Sequence, residues 1–517
     1  MQDKNSSRLT ARRPKLILLF VPIIFLIISL VFVVKVFDTS VMEGASQIAL
    51  LVASAVCVFI GMMFFKVPWQ SFEDGIKENI ANVGAAIVML LLIGAIGGTW
   101  MLSGVVPTMI YYGMHIVNPK VFLLICCIVS ALVSIVTGSS WTTIATIGVA
   151  LIGIGQGYGI STSWIAGAVI SGAYFGDKIS PLSDTTVIAS STVGVPLFTH
   201  IRYMMITTVP AMTISLIVFL IAGFSFGSDA QQDVSDFAYA LQSTFNISPW
   251  LMMIPLATFV MILFKLPSLV VLFLSAVLAA IFIPVVQPQI IPHLINIGSE
   301  TTIVDMIKAM MISCYGNTSV ETSNAMLTEL IATRGMSGMM NTIWLIICAM
   351  CFGGVMIASG MIANITNLIM RFIKRTVTLV ASTVFTGIFS NVCISDQYLS
   401  IILTCNIFKD YYDKNGYEPR LLSRSAEDSA TVTSPLIPWN TCGMTHATVL
   451  NVATMSYLPY CIFNLLSPIM SIIIAAIGWK IYKRYRHKDA KTQSFFVSLK
   501  LCDSVSSFSS VFLVQCS

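Results

Sequence analysis

Charged side chains are scarce in this chain. Of its 517 residues only 10% are Asp, Glu, Lys or Arg, where a soluble globular domain carries roughly 25%. With 56% hydrophobic residues and a mean hydropathy of +0.88, a water-soluble fold would lack the groups needed to wet its boundary. Histidine is rarer still: five residues, at 115, 200, 293, 446 and 487, with no metal-ligand spacing. No GxSxG, HExxH or paired-histidine arrangement occurs, which leaves hydrolytic and zinc chemistry without a motif and argues against an enzyme. The repeated motif of a four-fold carbonyl filter is missing, which argues against a channel. So are the short alternating segments of a membrane barrel. The twelve cysteines are scattered through apolar runs rather than spaced as a disulfide framework. Cys348 and Cys351 share one helix face, where packing is the expected role.

What the chain has in abundance is long apolar sequence. LILLFVPIIFLIISLVFVV (17–35), SQIALLVASAVCVFIGMMF (46–64) and MMITTVPAMTISLIVFLIAG (204–223) each reach the roughly 20 residues that cross a bilayer as a helix. Further spans are expected near 82–102, 119–136, 141–155, 161–175, 186–198, 250–264, 267–286, 341–359, 376–394, 397–408 and 456–479. The fold class is therefore an all-α polytopic membrane protein, with about 10–13 transmembrane segments. The net charge of +5 is read through the positive-inside rule and not as nucleic-acid affinity. Lys4, Arg8, Arg12, Arg13 and Lys15 at one end and Lys480, Lys483, Arg484, Arg486 and Lys488 at the other place both termini in the cytoplasm. The expected organisation is a tail over 1–15, a first transmembrane half over 16–286, an amphipathic linker or re-entrant region over 287–340, a second half over 341–480 and a cytoplasmic tail over 481–517. SFEDGIKENI (71–80) reads as a polar link and KDYYDKNGYEPR (409–420) as a loop.

Against this background GAYFGDKISPLSDTT (172–186) is anomalous. A carboxylate facing hydrocarbon costs roughly 2.5–3.5 kcal/mol even on the lenient insertion scale, so Asp177 and Asp184 should pair, line water or hold a cation. Lys178 adjoins Asp177 but points to another side of a helix. On an unbroken helix the two acids would stand about 10 Å apart, too far to grip one ion. Pro181 frees a carbonyl and Gly176 permits unusual dihedrals, so an unwound stretch brings the acids closer, and Ser180, Ser183, Thr185 and Thr186 add oxygens. Such oxygen ligands suit a hard cation such as Na+, with no metal expected beyond the transported ion. A carboxylate desolvated enough to hold a proton binds H+ or Na+ in turn. The bland alternative is a Ser/Asp-rich surface loop.

A second polar break recurs in RSAEDSATVTSPLIPWNTCG (424–443). Thr137-Gly138 followed by Ser180-Pro181-Leu182 is matched by Thr386-Gly387 followed by Ser434-Pro435-Leu436. Corresponding polar breaks in two halves are the pointer expected for a transporter built of repeats with broken helices. Asp396, between two apolar runs, and Glu427 with Asp428 are this half's acids, with Thr433 and Asn440 as polar liners. Glu427 and Asp428 read equally well as an ion pair with Arg424. In TGSSWTTIATIG (137–148), Thr137, Ser139, Ser140 and Thr142 either permit close helix packing or wall a pathway, as Lys178 also can.

These three segments resemble the NhaC family of sodium/proton antiporters, over almost all of the chain except its last 26 residues. The resemblance implies two related halves. It also implies a first core motif containing Asp177, Ser180, Asp184 and Thr185, and a second containing Asp396, Glu427, Asp428, Thr433 and Asn440. The implied activity is exchange of cytoplasmic Na+ for external H+ by alternating access in the plasma (inner) membrane. The alternative is cation-coupled exchange of a small organic anion, such as malate or lactate, or of an amino acid. No cofactor and no nucleic-acid partner are expected; Na+, H+ and membrane lipids are, and a homodimer stays open.

Overall fold

The computed structural model describes residues 16–37, 44–226, 231–295 and 301–483. Most of the basic flanks, from Lys4 to Lys15 and from Arg484 to Lys488, and the 492–517 tail lie outside the described residues. Among the described residues the chain is helical, with two isolated antiparallel bridges, Thr318–Thr333 and Tyr417–Lys483, and no sheet. Polarity is inverted relative to a soluble protein. Ile28, Phe32, Phe59, Met63, Ile217 and Phe273 are exposed, whereas hydroxyls, acids and two cations are buried. This is a multi-pass membrane protein. Seven described helices are long and apolar enough to cross a bilayer, or nine when two bent pairs, Ser235–Thr244 with Pro249–Leu263 and Thr454–Tyr460 with Ile462–Ile477, count as one span each. Part of the difference from the expected segments lies in helices that are interrupted or too polar to qualify, and these carry the anomalous motifs; the rest lies in shorter apolar helices such as Ile17–Val33.

The interruptions follow one plan twice. In the first half the helix Phe122–Thr137 ends on left-handed Gly138, and Ser139 caps the next helix. In the second half Thr376–Ile394 ends on left-handed Ser395, and Asp396 caps Gln397–Lys414. Then Thr162–Ile179 stops at an extended Ser180, and Asp184–Val193 restarts after Ser183 and ends on left-handed Gly194. Correspondingly, Pro419–Ala426 runs into a π-helical turn, Glu427–Thr431, and breaks at Ser434-Pro435-Leu436. The chain restarts as Thr441–Leu450, capped by Asn440 and ended by left-handed Asn451. Earlier in each half, Gly104 and Gly360 make equivalent left-handed turns between two helices. The paired positions keep a nearly constant separation along the chain.

This register corrects one anchor of the repeat. The counterpart of Gly138 is Ser395, not Gly387, which lies inside a helix where a Cβ would come within 2.3 Å of Ser429 Oγ. Gly387 is there for close approach, not for a turn. Gly176 is likewise helical, not unwound. A Cβ at Gly172 would sit 2.1 Å from the Cys127 carbonyl oxygen, and one at Gly176 would sit 2.4 Å from that of Ala131. The pair, four residues apart, lets Thr162–Ile179 press its backbone against Phe122–Thr137, the small-xxx-small solution to packing without a hydrophobic driving force.

Other expectations shift for similar reasons. Residues 71–80 form a helix, Trp69–Asn82, because Phe72 and Asn79 give it a buried side. Asn79 Nδ2 donates to Met350 O at 2.8 Å, and Gly75 and Gly354 lie backbone to backbone. The 409–420 stretch continues its helix to Lys414 before turning. The span expected over 186–198 is a ten-residue helix stopped by Gly194. Between 287 and 340 lie Ile291–Ile295, Ile303–Tyr315, Ala325–Ile331 and Gly335–Gly338. Ser313 O and Gly335 O occupy the room left beside Gly98 and Gly94 of Gly84–Leu102.

The glycine contacts make a direct prediction. Gly172→Val and Gly176→Val each destabilise the purified protein by about 1–3 kcal/mol through overpacking. Gly97→Ala, at a helical position with nothing within 4 Å of a Cβ, is neutral or stabilises by up to ~1 kcal/mol. Thermal unfolding in detergent separates the two classes.

Candidate functional site

The polar residues of the breaks fall into two groups, those that hold the breaks and those left over. A broken helix in hydrocarbon strands backbone groups that must find partners. Ser139 Oγ accepts from Thr142 N at 3.2 Å, and Thr142 Oγ1 donates to the same oxygen at 3.2 Å. Thr143 Oγ1 donates to Ser139 O at 2.9 Å and lies 3.2 Å from Thr137 Oγ1. Ser180 Oγ donates to Ile135 O at 2.7 Å, tying the first break to the neighbouring helix. Thr185 Oγ1 lies 2.9 Å from Ser183 Oγ. In the second half Asp396 Oδ1 accepts from Leu399 N at 2.9 Å, and its other oxygen accepts from Thr441 Oγ1 at 3.4 Å. Asn440 Oδ1 accepts from Cys442 N at 3.1 Å, and Thr433 Oγ1 donates to Ser429 O at 2.7 Å. The freed carbonyls of Ala430, Val432 and Pro435 accept from Asn391 at 2.6 Å, Asn464 at 2.8 Å and Tyr457 at 2.7 Å. Thr137, Ser139, Thr142, Ser180, Thr185, Asp396, Thr433 and Asn440 are thus engaged in holding the breaks in shape.

What remains is a buried charged group shared by the two halves. Asp177, in the last turn of its helix, is buried, and its Oδ2 accepts from Ser140 Oγ at 2.8 Å. Ser140 is the member of the 137–148 segment that reaches an acid. Lys178, fully buried, pairs with Asp428 of the other half. Its Nζ also donates to Ser467 Oγ at 3.0 Å and lies 5.8 Å from the centre of the Phe463 ring. Asp428 Oδ1 accepts further from Thr207 Oγ1 at 3.1 Å and Ser467 Oγ at 3.3 Å. Its Oδ2 stands 3.9 Å from Arg424 Nε, an ion pair without a hydrogen bond. None of the three Arg424 guanidinium nitrogens has a hydrogen-bond partner, and the group rests on the Tyr203 ring at 4.6 Å. Glu427 is fully buried in the π-helical turn; no donor comes within hydrogen-bond distance of its oxygens in good geometry, but the hydroxyls of Thr185 and Thr431, with Lys178 and Asp177, lie within its electrostatic reach. π-Turns of this kind gather at functional sites.

The expected residues therefore divide. Asp177, Lys178, Glu427 and Asp428 come together. Asp184 forms no ion pair with them: it is exposed in the first turn of its own helix, where its charge suits the helix N-terminus, although it is close enough for its charge to act on Asp177. Asp396 is buried but occupied as a helix cap. Sequence reasoning weighed Lys178 against its neighbour Asp177 and overlooked Asp428, 250 residues on. It also passed over Thr207, Ser467, Tyr203 and a link between the halves, Tyr174 OH to His446 Nε2 at 2.9 Å. Hydroxyls inside apolar runs and dispersed histidines gave no signal along the chain. Among the described residues no three of His, Cys, Asp and Glu are grouped as metal ligands.

Comparison with known proteins agrees with this architecture. The Na+/H+ antiporter family matches residues 4–193 and 172–479. The chain is 35% identical over 433 residues to the Na+/H+ antiporter NhaC of Bacillus subtilis, covering 83% of this chain and 91% of the relative. It is 34% identical over 434 residues to the malate-2H+/Na+-lactate antiporter of the same organism, covering 84% and 89%. It is 36% identical over 430 residues to NhaC of Alkalihalophilus pseudofirmus, covering 82% and 89%. Built of two sets of broken helices that meet at buried charges, the chain belongs to the Na+/H+ antiporter family, whose members are transporters and not enzymes.

Proposed function

We propose that this secondary transporter exchanges cytoplasmic Na+ for external H+ by alternating access in the plasma (inner) membrane. The observation that carries the reading is a charge imbalance at the joined breaks. Three buried carboxylates, Asp177, Glu427 and Asp428, face two fixed cations, Lys178 and Arg424. In an apolar interior an uncompensated charge is too costly to leave standing, so the group calls for one more positive charge. A proton or an alkali cation supplies it equally well, and the second to arrive finds no charge left to neutralise. Competition of that kind is what coupled exchange needs at its centre.

The two cations distribute the task. Lys178 and Arg424 both lean on Asp428, and two hydroxyls hydrogen-bond its Oδ1, so Asp428 is already neutralised. The exchangeable charge falls on Glu427, which neither cation pairs with directly, and on Asp177, whose partners are the neutral hydroxyls of Ser140 and Ser183. The similarity to two NhaC antiporters points the same way.

A second reading has its own observation. Arg424 offers a planar fork of unpaired donors, which is suited to a carboxylate, and one relative is a malate-2H+/Na+-lactate antiporter. Cation-coupled exchange of a small organic anion or an amino acid would use that fork.

Proteoliposomes carrying a proton gradient test both. Na+ alone dissipates the gradient under the antiport reading. A requirement for malate, lactate or an amino acid on one side, with no proton movement in Na+ chloride, replaces it with the second. Glu427→Gln and Asp177→Asn keep side-chain volume and folding but reduce Na+-driven proton movement about tenfold or more, as checked by the same assay on monodisperse protein. Asp184→Asn, at an exposed position, stays within about twofold of wild type, the scale of a ~0.5 kcal/mol surface effect.

A further inference from the structure

Ser183 holds the N-cap position of the restarting helix Asp184–Val193, yet its side chain makes no capping bond. The caps Ser139, Asp396 and Asn440 all make one, as the orphaned amides of a helix start require. The Ser183 hydroxyl is turned elsewhere. Its Oγ lies 2.9 Å from Thr185 Oγ1, and both side chains are buried. The chain doubles back at this break: Thr186 Oγ1 donates to Lys178 O at 3.2 Å, and Ser183 N donates to Ser180 O at 3.3 Å. Ser183 is thereby set beside Asp177, whose hydroxyl partners are Ser140 and Ser183.

On its other side the pair meets the second half. The helix Asp184–Val193 packs on Pro419–Ala426 and on the turn Glu427–Thr431. Ala189 and Val193 follow Thr185 at four-residue steps on one side of that helix. They lie in one apolar cluster with Leu422, Ala426 and Ala430. That side faces the turn, and the Thr185 hydroxyl is a neighbour of Glu427.

The row Asp177, Ser183, Thr185, Glu427 has three links and two hydroxyl protons. A hydroxyl donates once, and an ionised carboxylate only accepts. If Ser183 donates to Asp177, Thr185 donates to Ser183 and turns lone pairs toward Glu427. If Thr185 donates to Glu427, Ser183 donates to Thr185 and turns lone pairs toward Asp177. Either way one carboxylate confronts lone pairs until it gains a proton. The oxygens of Glu427, which receive no hydrogen bond, match the first arrangement.

We propose that Ser183 and Thr185 form a proton relay between Asp177 of one half and Glu427 of the other, so that the two breaks share one exchangeable proton. In the transfer an O–H bond breaks on one carboxyl, each hydroxyl takes up one proton and releases one, and an O–H bond forms on the other carboxyl. Na+ has no proton to hand on and cannot use the row. Asp184, Tyr174 and Tyr398 stand around its Asp177 end, and Lys178 and Cys405 around its Glu427 end. The inference rests on the proposed exchange and adds to it the route of the proton between the halves.

Two measurements on the full-length protein test the relay. In proteoliposomes Ser183→Ala and Thr185→Val each lower Na+-driven proton movement about tenfold or more, the scale of a lost proton-transfer group. Exchange of labelled Na+ for Na+, which needs no net proton transfer, stays near wild type, and Thr185→Ser restores proton movement. Equal loss of both exchanges on monodisperse protein marks a structural or ion-binding role, and loss of neither marks an idle hydroxyl pair; each overturns the relay. Infrared spectra of the purified protein read the row without transport. A protonated-carboxyl band that Asp177→Asn or Glu427→Gln removes is expected to shift in Ser183→Ala and Thr185→Val, and a band unmoved by both overturns the relay. A shifted band in a protein whose wild type moves no protons in Na+ chloride leaves the relay standing and overturns the exchange reading instead.

Discussion

The ion pair between Lys178 and Asp428 is the constraint on which the centre of this protein depends. It joins the end of one broken helix to the π-helical turn of the other, with no exposure of either side chain. A pair on the surface, such as Lys77 with Glu73 at 2.5 Å, is worth about 0–1 kcal/mol. Removing one partner of a buried pair costs about 3–5 kcal/mol, because the other charge is stranded. Lys178 therefore holds Asp428 in place. Asp177, one residue earlier and turned to a different side, accepts from Ser140 instead. Glu427, one residue before Asp428, forms no ion pair with either cation. One lysine thus sets how three acids stand relative to one another.

The breaks that bring these groups together are held by side chains placed to receive freed backbone atoms. A proline such as Pro435 removes a donor and leaves carbonyls unpaired, and in a membrane no water is at hand to repair the loss. Tyr457, Asn464 and Asn391 each reach across from another helix to do so. The N-caps Ser139, Asp396 and Asn440 do the same for the orphaned amides of the restarting helices. Polar residues that look like an ion pathway along the chain thus also hold the breaks in shape. Their work is to hold the few uncommitted groups in a fixed relation.

Much of this was legible in the sequence, for identifiable reasons. Long apolar runs announce membrane helices, and Pro181 and Pro435 within polar, Ser-rich stretches announce the breaks. Asp177 stood out because carboxylates are expensive in such surroundings, whereas Glu427 and Asp428 read equally well as an ordinary ion pair with Arg424. Lys178 with Asp428 was not legible, since nothing in either local sequence points to a partner in the other half. The outward placement of Asp184 could not be read locally, because its own context is as unusual as that of Asp177 and only the fold turns it outward. Asp396 is buried as expected, and it also caps a helix, a place that an acid before an apolar run fits. Gly172 and Gly176 carry the small-xxx-small spacing in plain view, yet whether it serves packing or unwinding depends on a carbonyl from another helix.

The same links limit how the molecule can divide when it moves. Lys178 with Asp428 and Ser467, Tyr174 with His446, and Phe175 against Phe463 at 5.7 Å all fasten Thr162–Ile179 to elements of the second half. A parting line drawn between the two breaks would strand a buried charge on each side, at a cost of several kcal/mol. A line drawn around them breaks apolar contacts, which lipid can replace at little net cost because lipid tails are as apolar as leucine. The energetics thus favour keeping the joined breaks together as one body.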